Sequence, residues 1–416
     1  MNNKIFDPQV KVIANVDRVL ELLDTGNTPP VLVEFDTSNA CNHSCYFCIS
    51  GYIHLPESKG LPTFNRSMLS EKLMLSTCQD FINMGVRAVN WTGGGEPTAN
   101  PALSKCVKLL GQNDVKMGMF TNGTLIHRFP ELLDALVENM TWIRFSVDAG
   151  TEKTYNDIRR TTAGKDDWNM MLSNLNKIID AKDNYEESVS KDPFDFQRKL
   201  GPDIGVGMVI TPDNYWEIIN FAETFLEYDI SYCQFKPEIV NREREGGIQR
   251  DIDFWYEHVE PRIKVAKDIL GDKFQMNGYK LSDLQHDPSI LGRTYKKCLG
   301  SQIQPCVGAD GEVYVCCNHR GYKEYSYGNL NEKSFKDIWN DIEKRQAIMY
   351  QINDVDKFNN CTQLCKPHES SKQVWKLYEE YENVKSSEVD LKEWKNNLLD
   401  IERSNARTNV DHWEFI

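Results

Sequence analysis

Residues Val31–Cys48, VLVEFDTSNACNHSCYFC, join a short apolar run to three closely spaced cysteines. The run Val31–Phe35 is apolar and rich in valine, which predicts a buried strand. The cysteines follow at positions 41, 45 and 48, on the loop after the carboxyl end of that strand. Parallel α/β sheets present their ligand-binding residues on such loops. This stretch therefore predicts an α/β fold with a group of thiols at its ligand-binding edge.

The pattern begun by this strand continues to about Phe235. Short apolar or β-branched runs alternate with longer stretches of helical periodicity, as expected of βα units around a parallel sheet. We predict six strands, at Val31–Phe35, Ala88–Trp91, Lys116–Phe120, Trp142–Ser146, Gly205–Ile210 and Tyr232–Phe235. Six units form a partial, TIM-like (β/α)6 barrel. The charged, aperiodic segment Asp180–Gly201 is expected to be an inserted loop, either a lid or a solvated surface excursion.

Composition limits the classes of partner. The 416 residues include 48 Lys and Arg against 62 Asp and Glu, a net charge of −14, which repels polyphosphates and predicts no nucleic-acid partner. No stretch approaches the ~20 apolar residues that span a bilayer, and the first residues lack a secretion-signal pattern. We therefore expect no membrane partner and a cytoplasmic location, where the 12 cysteines stay reduced.

The cysteine loop carries the most specific chemical signal. Three soft thiolate ligands suit an iron–sulfur cluster or zinc. For zinc the nearest fourth ligand is His43, which lies between two of the cysteines and is awkwardly placed to bind the same ion. The run CNHSCYFC resembles the CxxxCxxC signature of the radical S-adenosylmethionine (radical SAM) superfamily. The resemblance implies that Cys41, Cys45 and Cys48 hold a 4Fe–4S cluster whose fourth iron binds S-adenosylmethionine.

The same resemblance implies further cofactor-binding residues on the following loops. Thr92–Pro97 (TGGGEP) is similar to the GGEP motif that contacts the methionine amino group, whereas in isolation it would indicate only a tight turn. In the FSVDAG loop, Ser146 and Asp148 resemble the ribose-binding position. Arg159 matches an arginine aimed at the methionine carboxylate, or is an exposed helix arginine, and Asn122 either lines the site or only forms an Asn-Gly turn. The expected set is Gly93, Gly94, Gly95, Glu96, Asn122, Ser146, Asp148 and Arg159.

Six further cysteines fall after residue 297, and they resemble the C-terminal auxiliary-cluster domains called SPASM or, in shortened form, twitch. The expected ligands of one auxiliary 4Fe–4S cluster are Cys298, Cys316, Cys361 and Cys365, with Cys306 and Cys317 as possible replacements. The final CTQLC departs by one residue from the CxxC of twitch domains. A structural zinc site and unligated core cysteines are the alternatives.

The chain is predicted to divide into four segments. We expect an N-terminal helical extension over 1–30, the radical SAM barrel over 31–290, the SPASM/twitch domain over 291–370 and a helical tail over 371–416. The aromatic end of the tail, with Trp413 and Phe415, is expected either to close the barrel mouth or to pack on a helix.

The resemblance implies reductive cleavage of S-adenosylmethionine to a 5′-deoxyadenosyl radical, which abstracts hydrogen from a substrate. The intervals of 18 and 45 residues between the first three auxiliary ligands match the aminocyclitol dehydrogenases of the twitch type. We therefore expect an oxidoreductase that modifies a small hydroxylated molecule in a biosynthetic pathway, with flavodoxin or ferredoxin as the reducing partner. Maturation of a ribosomally made peptide is the alternative, and a non-catalytic iron–sulfur scaffold or sensor is a remote one.

Overall fold

The computed structural model describes residues 8–50, 67–161, 166–190, 200–238, 252–276, 295–353, 361, 365–407 and 412–416. Six parallel strands at its centre follow one another in sequence order: β1 Leu32–Asp36, β2 Ala88–Thr92, β3 Lys116–Thr121, β4 Trp142–Ser146, β5 Asp203–Ile210 and β6 Tyr232–Pro237. Each begins and ends within two residues of its predicted bounds. The predicted partial barrel is confirmed.

Helices cover the outer face of these strands. They are α3 Glu71–Met84, α4 Leu103–Gly111, α5 Pro130–Asn139, α6 Glu152–Arg159, α7 Asp167–Ser190 and α8 Ile218–Leu226. Two further helices, α1 Pro8–Ile13 and α2 Val16–Thr25, precede β1. Helix α3 illustrates why such segments fold. The Ser70 hydroxyl accepts a hydrogen bond from the Leu73 amide at 3.3 Å and caps the first turn, and Gly85, at φ +71°, ends the last one.

Residues 180–190 belong to the long helix α7. The expectation of a loop over Asp180–Gly201 is therefore wrong for this part, and residues 191–199 lie outside the described residues. Met171, Leu175 and Ile178 recur at helical spacing and are fully buried. The apolar stripe of the first half fixes the helix on the barrel, and the charged second half continues it with its polar side chains in solvent.

The sheet extends beyond the six predicted strands at both edges. After helical turns at Ile252–Phe254 and Trp255–Val259, helix α9 Glu260–Leu270 leads to β7 Phe274–Met276, which lies parallel to β6. At the other edge, β8 Cys306–Val307 lies parallel to β1 and is followed by the antiparallel strands β9 Glu312–Tyr314 and β10 Ser326–Asn329. The cysteine-rich module thus continues the barrel sheet, in the order β10-β9-β8-β1-β2-β3-β4-β5-β6-β7.

Two helices complete the cysteine-rich module, α10 Phe335–Asn340 and α11 Ile342–Ile352. Ser334 caps α10, with its hydroxyl accepting from the Asp337 amide at 3.1 Å. The tail follows as α12 His368–Lys385 and α13 Leu391–Ile401. Val374, Trp375 and Leu377 of α12 share an apolar cluster with residues of α1 and α2. None of the helices described here is long and apolar enough to cross a membrane.

The last residues of the chain close the amino-terminal end of the barrel. Phe415 packs against Leu32 and Ala88, the first residues of β1 and β2, and its ring lies 5.5 Å from the Trp142 ring at the start of β4. The Lys11 ammonium donates to the Phe415 carbonyl at 3.0 Å. The tail therefore forms a floor at the end opposite to the cysteine loop. The expectation that it closes the mouth is wrong.

Candidate functional site: two cysteine clusters joined through the barrel

Cys41, Cys45 and Cys48 lie on the loop that follows β1, at the carboxyl end of the strands. Burial raises the pKa of Cys41 to about 12, and the neighbouring charges of Glu96, Cys45 and Cys48 add to this shift. A thiol with so high a pKa stays protonated near neutral pH. A bound metal releases the proton, because the cation stabilises the thiolate. Three soft sulfur donors on one short loop fit a cluster that keeps one corner open.

The glycine run after β2 packs directly on the cysteine loop. The Gly95 amide donates to the Ser38 carbonyl at 3.0 Å, and the Glu96 amide donates to the Ala40 carbonyl at 2.9 Å. A Cβ atom on Gly95 would lie only 2.3 Å from the Ala40 oxygen. Glycine is required here because the two backbones meet, one residue before the first cysteine.

The Glu96 carboxylate accepts hydrogen bonds from neighbouring residues of the β2 and β3 loops. One oxygen accepts hydrogen bonds from the Thr98 amide at 3.1 Å and from the Thr98 and Thr121 hydroxyls, and the other accepts from the Asn122 amide at 2.7 Å. These bonds tie the β2 loop to the β3 loop. The role of Glu96 as an acceptor for the methionine ammonium stays a prediction, and its carboxylate also acts as a structural link.

Asn122 lies against the first cysteine of the loop. Its amide nitrogen is 3.9 Å from the Cys41 sulfur and donates to the Asn42 oxygen at 2.9 Å. Its amide oxygen accepts from the Thr124 amide at 3.0 Å and from the Thr124 hydroxyl. The structure therefore brings this predicted residue to the cysteine loop.

The β4 loop supplies the remaining predicted residues. Asp148 adopts φ +67°, and its carboxylate accepts from the Val209 amide at 2.8 Å and pairs with Arg159. Both side chains are buried. Arg159 is thus no exposed helix arginine, because it reaches back from α6 into the site. Ser146 ends β4 beside Gly207 of β5 and is partly exposed.

A hydrogen-bonded triad that fixes the cysteine loop, Arg159–His43–Asp167, was not predicted from the sequence. The His43 Nδ1 accepts from the Arg159 Nε at 3.2 Å, and its Nε2 lies 3.2 Å from the Asp167 carboxylate. Burial and the Arg159 charge lower the pKa of His43 to about 2, so the ring is neutral with its proton on Nε2. Both ring nitrogens are engaged, so His43 is no metal ligand here. The histidine inside the motif was the only sequence signal.

The C-terminal cysteines gather around Cys316, which follows β9. Burial raises the pKa of Cys316, and the charges of Cys317, Cys361, Cys298 and Cys365 raise it further. The Cys316 sulfur also lies 3.1 Å from the His319 Nδ1. The four predicted auxiliary ligands therefore share one neighbourhood.

Cys306 stands apart from this group. It lies opposite Glu34 in the β1–β8 pairing, and the charges nearest to it are those of Arg320, Asp36 and Glu34. Among the residues that the structure describes, no three His, Cys, Asp or Glu side chains are arranged to hold a single metal ion. The neighbourhood of Cys316 thus holds five thiols, including Cys317, and four such donors are what a fully ligated iron–sulfur cluster requires.

Buried charges connect the two cysteine clusters. Arg320 of the C-terminal module reaches into the barrel, where its Nη2 lies 3.1 Å from the Glu34 carboxylate and 3.0 Å from the Asp36 carboxylate. Lys366, the neighbour of Cys365, pairs with the other Glu34 oxygen. The strand that leads to Cys41 is thus fixed by the module that carries the second cluster.

Comparison with known proteins decides what this arrangement is. A family model described as the radical SAM superfamily matches residues 35–189, and an iron–sulfur cluster-binding domain named SPASM matches residues 298–366. The chain belongs to the radical SAM superfamily. Members bind S-adenosylmethionine and a 4Fe–4S cluster, and SPASM domains bind auxiliary iron–sulfur clusters. The two matched ranges contain all seven predicted cluster ligands, whose individual roles stay predictions.

Curated relatives and solved structures agree with this assignment. The chain is 23% identical over 317 residues to the tungsten-containing aldehyde ferredoxin oxidoreductase cofactor-modifying protein of Pyrococcus furiosus, covering 73% of this chain and 79% of the relative. It is 29% identical over 363 residues to the mycofactocin maturase MftC of Mycobacterium tuberculosis, covering 83% and 78%. The fold matches Streptococcus suis SuiB bound to precursor peptide SuiA, with a TM-score of 0.54, 15% identity, and 80% and 70% coverage.

Proposed function

We propose that this radical SAM enzyme is a maturase that oxidatively modifies a precursor peptide or a protein. The observation that carries the proposal is the similarity to proteins of this kind over most of both chains. One relative is named a maturase, and the structural neighbour was solved with its precursor peptide. The small hydroxylated substrate expected from the cysteine intervals takes second place, because the relatives favour the alternative interpretation.

Residues of this chain would hold the cofactors in two places. Cys41, Cys45 and Cys48 would hold the catalytic cluster, and Cys298, Cys316, Cys361 and Cys365 would hold an auxiliary one. When bound and reduced, the first cluster supplies an electron that cleaves S-adenosylmethionine to a radical able to take hydrogen from an unactivated carbon. The second, held by four thiolates, would supply an electron acceptor, so we propose that the overall reaction is an oxidation.

The protein contributes position and exclusion of water. Hydrogen bonds from the Gly95 and Glu96 amides fix the cysteine loop against the β2 loop, and the His43 ring fixes it against α6 and α7. The aromatic floor around Phe415 closes the far end of the barrel. A substrate group that enters from the cysteine side therefore meets a dead end lined by side chains of the inner strand face. A reducing partner and a reducing compartment belong to the same proposal.

The substrate class can be tested without knowing the substrate. Cells of the source organism are grown on deuterated medium, and their extract is divided into a peptide and protein fraction and a small-molecule fraction. The anaerobically reconstituted enzyme is incubated with each fraction, S-adenosylmethionine and reductant, and 5′-deoxyadenosine is examined by mass spectrometry. We expect deuterium in 5′-deoxyadenosine from the peptide and protein fraction alone.

A Cys41→Ala/Cys45→Ala/Cys48→Ala variant serves as the control for this experiment. It should form no 5′-deoxyadenosine with either fraction. Deuterium in 5′-deoxyadenosine from the small-molecule fraction alone would contradict a peptide or protein substrate. It would favour the hydroxylated small molecule as the substrate class.

A further inference from the structure

Arg144 is a partly buried cation inside the barrel that the cofactor sites leave unexplained. In β4 it alternates with Ile143 and Phe145, whose side chains are fully buried on the outer face, so the guanidinium points inward. It lies 4.1 Å from the centre of the Phe120 ring and donates to the Gln234 side-chain oxygen. A Cβ atom on Gly207 would lie 3.1 Å from its Cδ and Nε, so this glycine makes room for it.

The charges around Arg144 do not balance. Among the described residues, the strand positions on the same side of the sheet as Arg144 include the carboxylates Glu34, Asp36 and Asp203, and each is engaged elsewhere. Arg320 pairs with Glu34 and Asp36, Lys366 pairs with Glu34, and His412 pairs with Asp203. The partners that the structure gives Arg144 itself are neutral, and its Nε is buried without a hydrogen bond to the described part of the chain. The Asp148 carboxylate, whose charge also acts on Arg144, is paired with Arg159. Burial lowers the pKa of Arg144, because the loss of hydration outweighs the stabilising charges of its neighbours.

The position of the guanidinium relates it to the cofactor. It extends over Gly207, the register partner of Ser146, which is the predicted ribose-side residue at the end of β4. Below it lies the floor of Trp142 and Phe415. The open donor therefore lies between the floor and the level at which S-adenosylmethionine would bind, where a group of the substrate would enter.

We propose that Arg144, with Gln234, forms a subsite for a carboxylate of the substrate. One unbalanced positive charge and a planar donor suit a monoanionic, planar acceptor better than a phosphate dianion. The inference rests on the proposed function and deepens it: the modified peptide presents either an acidic side chain or its terminal carboxylate at this depth. The two sources share one chemistry and differ in the probes that mimic them.

The experiment measures binding of four small probes to the reconstituted enzyme with S-adenosylmethionine, by saturation-transfer NMR titration. N-acetylglutamic acid α-amide mimics the side-chain acid and N-acetylglycine mimics the terminal acid, and N-acetylglutamine α-amide and N-acetylglycinamide are their neutral counterparts. For at least one pair we expect the acid to bind about tenfold or more tightly than the amide, as a charge-assisted hydrogen bond provides. The pair that discriminates identifies the source of the carboxylate.

Variants assign the discrimination to this residue. Arg144→Gln should bind acid and amide alike, Arg144→Lys should retain part of the preference, and the exposed Arg128→Gln should retain all of it. Gln234→Glu gives Arg144 an internal carboxylate and should abolish the preference even if Arg144→Gln does not fold. Equal binding of acid and amide by the unmodified enzyme, or an unchanged preference in Gln234→Glu, would overturn the subsite. Because this readout requires no turnover, it is independent of the deuterium-transfer result.

Discussion

Arg320 of the SPASM domain and Asp36 of β1 form an ion pair inside the barrel, with Nη2 3.0 Å from Oδ1 and with both side chains buried. The pair joins the domain of the auxiliary cysteines to the strand that carries the catalytic cysteine loop. Glu34 extends it, since it binds both Arg320 and Lys366. Buried ion pairs thus connect the two cysteine clusters.

Removal of Arg320 should destabilise the whole chain. An Arg320→Met variant removes the ion pair that holds the buried Asp36 and leaves Glu34 paired with Lys366, and breaking a buried pair costs about 3 kcal/mol or more. Anaerobic urea unfolding measures this cost. Adding Asp36→Asn to Arg320→Met should recover part of the loss, because the uncompensated carboxylate is removed. The exposed control Arg128→Met should unfold like the unmodified chain, and equal midpoints for Arg320→Met and this control would show that the buried pair adds no stability.

A methyl group on Gly95 should displace the cysteine loop. Since the added Cβ would lie 2.3 Å from the Ala40 oxygen, the two backbones must separate, and overpacking of this kind costs about 1–3 kcal/mol. We expect Gly95→Ala to lose the iron of the first cluster after reconstitution. Gly271→Ala is the control. Its φ of +55° is unfavourable for alanine, so the substitution strains the backbone, but no atom lies within 4 Å of the new methyl. Iron content that falls equally in both would point to general instability.

Replacement of His43 should affect the same cluster by another route. His43→Ala leaves the Arg159 Nε and the Asp167 carboxylate without the ring that links them, so the loop loses its support on α6 and α7. Iron per chain should fall from about eight to about four, since each cluster holds four irons. Replacing the exposed His127 should leave the count unchanged. A full complement of iron in His43→Ala would show that the loop holds its geometry without this histidine.

The sequence predicted what local patterns determine. The six barrel strands follow from short apolar runs, and the cysteine loop follows from a spacing that few other sites share. The helix over residues 180–190 was missed, because its charged side chains show little periodicity once they point only to solvent. Strand β7, three residues long, depends on the neighbouring β6 and has no strong signal of its own.

The candidate site divides in the same way. The motif residues Asn122, Asp148 and Arg159 lie beside the cysteine loop, as the resemblance implies. The pairing of Arg320 with Asp36 could not be predicted, because it joins residues 284 positions apart through tertiary folding alone. Arg144 was likewise hidden, since an arginine in a strand reads as an ordinary edge or surface residue until the barrel closes around it.

Truncation of Phe415 should weaken the fold without impairing the cofactor site. Phe415→Ala removes the aromatic floor against Trp142, Leu32 and Ala88, and loss of a buried phenylalanine costs about 3 kcal/mol. The cysteine loop lies at the other end of the strands, so cleavage of S-adenosylmethionine should proceed at the normal rate at temperatures where the variant stays folded. The measurements are urea unfolding and 5′-deoxyadenosine formation. A selective loss of cleavage in a fully folded variant would indicate that the floor is coupled to the cofactor site.

Acid should release the same tail through the contact between His412 and Asp203, 2.6 Å apart at the start of β5. Burial alone would raise the pKa of Asp203, but the hydrogen bond and charge of His412 outweigh it and hold the pKa below the ordinary 3.8. A lowered folded-state pKa contributes stability above 3.8, and this contribution disappears as the pH falls through 3.8 towards the folded value. The difference in unfolding midpoint between the unmodified chain and Asp203→Asn should therefore be present at about pH 5 and shrink below about pH 4. A difference that persists undiminished at about pH 3 would mean that the pair does not hold the tail through charge.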